Sequence, residues 1–119
     1  MTSDTGPTAA DSSASAVVVV LTTLPAEADA EAFGETLVKE RLAACVSVGA
    51  PMTSIYSWKG AVERGLERQL LLKTLRSKVP LLQARLAALH PYDVPELLVL
   101  PVADGGEAYL AWVRECTAG

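Results

Sequence analysis

The chain has 119 residues, of which half are apolar and a fifth are charged. This length and composition predict one compact domain with a single hydrophobic core, and they exclude intrinsic disorder for most of the chain. The formal net charge of −4 argues against nucleic acid or an anionic membrane as the main partner. The longest apolar run, Ala16 to Leu21, is far shorter than the roughly 18 residues that a membrane-spanning helix needs.

Residues 1–15 consist almost entirely of Thr, Ser, Asp, Ala, Gly and Pro. Such a segment cannot form an apolar face, so we expect a disordered leader followed by one folded domain over residues 16–119. The leader contains Asp4 and Asp11 but no Lys or Arg, and it therefore lacks the basic region of a secretion signal. We expect the protein to be cytoplasmic, with its two cysteines present as thiols.

The predicted elements follow the order β-α-β-β-α-β, with one further helix at the C-terminal end. The first strand, Val17–Leu21, is ended by Thr22–Pro25, and a helix follows from about Ala26 to Leu42. The second strand starts at Cys45–Val48, is broken by Gly49-Ala50-Pro51 and resumes over Met52–Lys59, and the third covers Leu66–Leu75. A helix capped by Ser77 and ended by His90-Pro91, a fourth strand at Leu97–Val102 and a helix at Glu107–Glu115 complete the chain. This order is typical of the ferredoxin-like α+β fold, in which both main helices cover one face of a four-stranded antiparallel sheet. The other face then needs a cover, which favours an oligomer.

Four blocks of the sequence carry the clearest family signal. They are Leu42-Ala43-Ala44-Cys45-Val46, Ser54-Ile55-Tyr56-Ser57-Trp58-Lys59-Gly60, His90-Pro91-Tyr92-Asp93-Val94-Pro95-Glu96 and Tyr109-Leu110-Ala111-Trp112. In order and spacing they resemble the CutA divalent-ion tolerance family. The resemblance implies a ferredoxin-like protomer in a homotrimer, similar in architecture to PII signalling proteins, located in a bacterial cytoplasm and associated with copper tolerance and divalent-metal binding. One departure is Ser47, since family members commonly carry Asn there.

Two residues within these blocks are candidate metal ligands. The thiolate of Cys45 is a soft ligand, and the imidazole of His90, the only histidine, suits copper, zinc and nickel. A carboxylate such as Glu96 could complete the coordination of a copper-class ion, with ligands drawn from one subunit or from two. The alternatives are a buried strand residue for Cys45 and a helix C-terminal residue for His90.

A second set of residues is a candidate for a cleft between subunits: Trp58, Lys73, Tyr92 and Trp112. Trp58 and Trp112, together with Tyr109, are in positions where aromatic residues more often form the core of an interface. Lys73 interrupts the apolar Leu70-Leu71-Leu72 run, so it either pairs with an acid, for which we name Glu96, or faces solvent.

Three functions compete on these residues. The first is a trimeric tolerance protein that binds a copper-class ion, and the second is a PII-like regulator that binds a small anionic effector. The third is an enzyme that uses Lys73, Tyr92 and Glu96. No nucleophile–base pair, phosphate-binding loop or HExxH motif is identifiable, so we expect a binding protein and not an enzyme.

Overall fold

The computed structural model describes residues 13–119. Its elements are β1 (Val17–Pro25), α1 (Ala30–Lys39), β2 (Cys45–Val48), β3 (Met52–Trp58), β4 (Ala61–Leu75), a one-turn 3₁₀ helix (Arg76–Lys78), α2 (Val79–Leu89), β5 (Leu98–Pro101) and α3 (Glu107–Cys116). The order and the mixed α+β class confirm the predicted ferredoxin-like arrangement. Residues 1–12 of the predicted leader lie outside the described residues, whereas residues 13–15 lie in a turn that leads into β1.

The strands form one antiparallel sheet in the order β2-β4-β1-β5. The 15 residues of β4 allow its C-terminal part to pair with β1 and β2, while its N-terminal part pairs with β3. The sheet therefore has five strands instead of the predicted four. The β3–β4 hairpin extends beyond the rest of the sheet, and the chain measures 52 × 34 × 24 Å along its principal axes.

The first strand is longer than its sequence predicted. Thr22, Thr23 and Leu24 were expected to interrupt β1, but the strand continues to Pro25. Its partner on β4 supplies a ladder over this whole length, ending where Pro25 lies opposite Glu67. Pairing with a long neighbour thus outweighs the weak strand signal of these residues.

Helix α1 is shorter than predicted at both ends. Asp29 caps the helix, because its Oδ1 accepts a hydrogen bond from the Ala32 N–H at 3.0 Å. At the other end Arg41 adopts a left-handed conformation with φ 60°, and the Leu42 N–H donates to the Leu37 carbonyl. The helix therefore ends at Lys39, and the chain turns directly into β2.

Helix α2 begins without the predicted Ser77 cap, because the 3₁₀ turn precedes it and the N-cap residue is Lys78. Pro80 lies in its first turn, as predicted, where no backbone N–H is needed. His90 ends the helix with an extended backbone, ψ 137°, which is the conformation favoured before Pro91.

The main core lies between the sheet and the first two helices. Its fully buried members include Val18 and Val20 of β1, Leu37 of α1, Leu70 and Leu72 of β4, and Leu82 and Leu86 of α2. The opposite side of the sheet, which we call the open face, is covered by α3 at one end only. There Val113 packs on Val17, Ala44 and Leu75. The rest of the open face carries half-exposed leucines such as Leu98 and Leu100.

Candidate functional site

An open cleft of about 790 Å³ lies between the β3–β4 hairpin and the loop that joins α2 to β5. We call it the aromatic–acidic cleft. It is lined by Thr23, Ser54, Ile55, Tyr56, Trp58, Glu63, Glu67, Pro91, Tyr92, Asp93, Val94, Pro95 and Glu96. The lining thus contains three aromatic rings and four carboxylates, and it contains no Lys or Arg.

The hairpin turn places one wall of this cleft. Lys59 and Gly60 both have positive φ, 49° and 82°, which is the geometry of a type I′ turn between two strands. The resulting register sets Tyr56 opposite Glu63. Because side chains alternate along a strand, Trp58 lies on the same face as these two residues. The hairpin therefore presents aromatic rings and carboxylates on one face.

His90 holds the other wall in place. The ring accepts at Nδ1 from the Tyr92 N–H at 3.1 Å, so the proton lies on Nε2, which donates to the Thr23 carbonyl at 2.6 Å. Strand β5 pairs with β1 only as far as Leu21, so His90 supplies a donor to β1 beyond the end of that ladder. The side chain is buried and contacts the Phe33 ring edge-on. This anchor fixes the start of the loop at residues 91–96.

Glu67 joins the two walls of the cleft. Its Oε2 accepts from the Tyr92 hydroxyl at 2.8 Å and from the Thr23 hydroxyl at 3.3 Å. Burial and the hydrogen bond to Glu67 raise the pKa of Tyr92 well above its ordinary value of 10.0, with smaller contributions from neighbouring negative charge. Tyr92 therefore remains a neutral donor across the physiological range, and Glu67 is held as a rigid carboxylate.

A separate polar cluster lies on the open face. Lys73 of β4 donates from Nζ to the Ser47 hydroxyl at 2.9 Å, and its Nζ lies 3.9 Å from the Cys45 sulfur. Cys45 and Lys73 are directly opposite each other in the β2–β4 ladder. Burial, and to a smaller extent Cys45, raises the pKa of Tyr109 on α3. This cluster therefore combines the side chains of Lys73, Cys45 and Ser47, with α3 close by.

The structure does not bring the predicted metal ligands Cys45, His90 and Glu96 together within one protomer. Cys45 lies level with Val19 of β1, whereas His90 contacts β1 at Thr23. These two β1 residues are four positions apart, which corresponds to roughly 13 Å along the strand. Both ring nitrogens of His90 are already hydrogen-bonded. Across residues 13–119, no three His, Cys, Asp or Glu side chains are grouped so that they could hold one metal ion. A single protomer thus offers no complete site for copper within this range.

The predicted cleft residues fall into two places. Trp58 and Tyr92 line the aromatic–acidic cleft, whereas Lys73 and Trp112 are absent from its lining. Trp112 lies on α3, where its ring stacks at a tilt on Tyr109 with 5.5 Å between centroids. The set of Lys73, Tyr92 and Glu96 that an enzyme would use is likewise divided.

The predicted ion pair between Lys73 and Glu96 is wrong, since Lys73 contacts Ser47 and Cys45 instead. The register explains the difference. Leu98 lies opposite Leu21, and Glu96 lies two residues before it, beyond the end of the β1–β5 ladder, where its carbonyl accepts from the Thr22 hydroxyl at 2.7 Å. Lys73 lies opposite Val19, nearer the other end of β1.

Sequence reasoning missed the acidic side of the hairpin, Glu63 and Glu67, as part of a site. The signal was present in the Lys59-Gly60 turn, because counting outward from a two-residue turn sets Tyr56 against Glu63. What the sequence could not show is that Tyr92 folds back across the sheet to reach Glu67.

The fold, the hairpin and the anchored loop define a small protein of the ferredoxin-like α+β class. The family model described as CutA1 divalent ion tolerance protein matches residues 18–116, and the chain belongs to this family. Within residues 13–119, no helix has the length and apolarity to cross a membrane.

Individual relatives agree with this assignment. The divalent-cation tolerance protein CutA of Thermus thermophilus is 50% identical over 99 residues, which cover 83% of this chain and 96% of the relative. A solved structure of the divalent cation tolerance protein from the same species superposes with a TM-score of 0.82 at 48% identity, covering 86% of this chain and 99% of that one. A structure described as the periplasmic divalent cation tolerance protein CutA from Archaeoglobus fulgidus gives a TM-score of 0.81 at 28% identity, covering 85% and 98%.

Proposed function

We propose that this chain acts as a homotrimeric divalent-ion tolerance protein and that it binds a copper-class ion through Cys45, with the remaining ligands supplied across a subunit interface. The observation that supports this proposal is the position of Cys45. It lies half-buried on the open face, beside apolar side chains that a second copy would cover. A thiol on that surface can meet ligands from another subunit, which residues 13–119 of one protomer do not provide.

His90 then has a structural role. An imidazole binds a metal through a free nitrogen lone pair. In this chain the lone pair of Nδ1 accepts a hydrogen bond from the Tyr92 N–H, and Nε2 donates its hydrogen to the Thr23 carbonyl, so neither nitrogen is free. Glu96 lies in the aromatic–acidic cleft, away from Cys45. Of the three ligands named from the sequence, Cys45 is thus the one that the geometry favours for a shared site.

Competition of Cu(I) and Zn(II) with a chromogenic chelator tests this assignment. We expect Cys45→Ser to weaken copper binding at least tenfold, about 1.4 kcal/mol, because the soft ligand is lost. Cys116→Ser is the matched control, since Cys116 is also a free thiol but lies at the end of α3. Equal copper affinity in the parent and both variants would contradict a site at Cys45.

The two free thiols also support a cytoplasmic location, because unpaired cysteines persist in a reducing compartment. The family includes the A. fulgidus protein described as periplasmic. Cell fractionation of the natural host, with the chain detected by antibody, tests this part of the proposal. Recovery in the periplasmic fraction would contradict it.

A binding role is favoured over catalysis by the division of the candidate residues. Tyr92 and Glu96 line the cleft, while Lys73 hydrogen-bonds to Ser47 on the open face. The PII-like alternative with an anionic effector is disfavoured by the cleft itself, because its four carboxylates would repel an anion.

A further inference from the structure

The aromatic–acidic cleft has the chemistry of a receptor for a cation. One wall presents the rings of Tyr56 and Trp58, and Tyr92 faces them from the loop. All three residues are more than a third exposed, and the Tyr92 ring also contacts His90, with 4.8 Å between the ring centroids. Aromatic faces attract ammonium groups through their quadrupole, most strongly for Trp.

Negative charge lines the same space. Glu63, Glu67, Asp93 and Glu96 all border the cleft, and none of its lining residues is basic. Glu67 is held by two hydrogen bonds, both to Oε2, and accepts none at Oε1 from the described residues. A fixed carboxylate beside open rings is the combination that cation receptors use.

One ammonium group of the chain itself, that of Lys59, already lies beside the Trp58 ring. Lys59, at the tip of the hairpin, places its Nζ 5.7 Å from the centroid of the Trp58 ring. That distance is within the range at which cation–π attraction operates. The Trp58 ring is therefore placed and oriented so that an ammonium can reach it.

The spacing of the acids favours an organic cation over a metal ion. Within residues 13–119, no three acidic, His or Cys side chains are grouped to ligate one ion. The negative charge is instead spread over an open volume of about 790 Å³. A volume of this size is typical of small-molecule sites.

We propose that the aromatic–acidic cleft binds a small organic ammonium compound, with its cationic group against Trp58 and Tyr56 and with Glu67 as the counter-charge. This site is distinct from the metal site at Cys45, and the inference does not depend on that site. A Cys45→Ser variant should therefore bind ammonium compounds as the parent does.

Fluorescence titration of the full-length chain tests the proposal. Trp112→Phe removes the other tryptophan, so that the signal reports Trp58 alone. The probes are choline, tetramethylammonium and spermidine, and the comparison compounds are inorganic phosphate and MgCl₂ at matched ionic strength. We expect saturable binding of at least one ammonium probe and none of phosphate, with MgCl₂ giving no equivalent signal.

Charge variants locate the site. Glu67→Gln retains an oxygen that accepts from Tyr92 but loses the charge, and we expect at least tenfold weaker ammonium binding. Glu63→Gln serves as a second variant, because Glu63 is exposed and its replacement leaves the fold undisturbed. Glu35→Gln on α1 is the matched control, since Glu35 pairs with Lys39 outside the cleft.

Three results would overturn the inference. The first is the absence of saturable binding for every ammonium probe, and the second is unchanged affinity in folded Glu67→Gln and Glu63→Gln variants. The third is a MgCl₂ response equal to that of the organic cations, which would show charge attraction without recognition of the ammonium group. Thermal melts of each variant establish that a loss of binding is not a loss of folding.

Discussion

His90 accepts a hydrogen bond from the backbone of Tyr92 and donates one to the backbone of Thr23 while buried against Phe33. From the sequence, His90 is a candidate metal ligand, because imidazole is the commonest metal ligand among side chains. The structure gives the ring another task, which is to join the end of α2 to the edge of β1.

We expect His90→Ala to lower the free energy of unfolding by about 2–3 kcal/mol, because a buried carbonyl loses its donor and the ring leaves a cavity. Urea denaturation in the presence of a metal chelator measures the change. Gln83→Ala, on the exposed side of α2, should stay within about 0.5 kcal/mol of the parent. If the loss appeared only in the presence of metal, His90 would be a ligand after all.

Tyr92 predicts a pH dependence at the alkaline end. Its pKa is raised in the folded chain, first by burial and then by the hydrogen bond to Glu67, from an ordinary value of 10.0. The folded state thus retains a proton that the unfolded state has lost, so the stabilisation is complete below pH 10 and declines as the pH rises above that value. We expect Tyr92→Phe to show a shallower loss of stability above pH 10 in denaturant titrations. Parallel curves for the two proteins would contradict this.

At the scale of elements, α1 packs closely on β2 because Gly34 has no side chain. A Cβ at this position would lie 3.0 Å from Cγ1 and 3.2 Å from Cβ of Val46. Val46 is β-branched and stiff, so it cannot turn its methyl groups away easily. The close approach of helix and sheet here therefore requires glycine, in spite of its poor helix propensity.

We expect Gly34→Ala to destabilise the chain by about 1–2 kcal/mol, because overpacking outweighs the roughly 1 kcal/mol that alanine gains in helix propensity. Equilibrium unfolding of Gly34→Ala, Val46→Ala and the double variant measures the coupling. Val46→Ala creates room, so the double variant should be less destabilised than the sum of the two changes. A Gly34→Ala protein that is more stable than the parent would show that the helix can shift freely.

The segment before β1 offers a second test at this scale. The Ala14 carbonyl accepts from the Ser77 N–H at 3.0 Å, and the Ser15 carbonyl accepts from Arg114 Nε at 3.0 Å. The sequence places residues 1–15 in one leader, but the contacts tie its last residues to the folded domain. We expect deletion of residues 1–12 to leave the melting temperature within error, whereas deletion of residues 1–15 lowers it. Equal melting temperatures for the two truncated chains would contradict the role of this turn.

The sequence predicted the element order, strand β2 and the hairpin turn, because each rests on local signals such as β-branched runs and the Lys59-Gly60 pair. It placed the ends of β1 and α1 poorly. Those ends depend on pairing with the long β4 and on a left-handed Arg41, for which the residue type gives no signal. For the same reason it grouped Lys73 with Glu96, since only the strand register shows that they lie at different levels of the sheet.

At the scale of the whole molecule, the open face of the sheet remains largely uncovered, because α3 packs only on the end of this face that contains Val17 and Leu75. Leu98 and Leu100 are 53% and 46% exposed, and Leu21 and Leu98 are neighbours in the ladder. Apolar surface of this extent marks a protein–protein interface.

We expect the chain to form a homotrimer, in which the part of the open face around Leu98 and Leu100 is buried. Multi-angle light scattering should give three times the chain mass of 12.5 kDa. Leu98→Lys should shift the mass toward that of a monomer, because a buried unpaired ammonium is strongly unfavourable. Leu81→Lys is the matched control, since Leu81 is 58% exposed on α2, on the far side of the sheet, and its replacement should leave the trimer intact. A monomeric parent would contradict the interface, and dissociation by both variants would show that the open face has no special part in it.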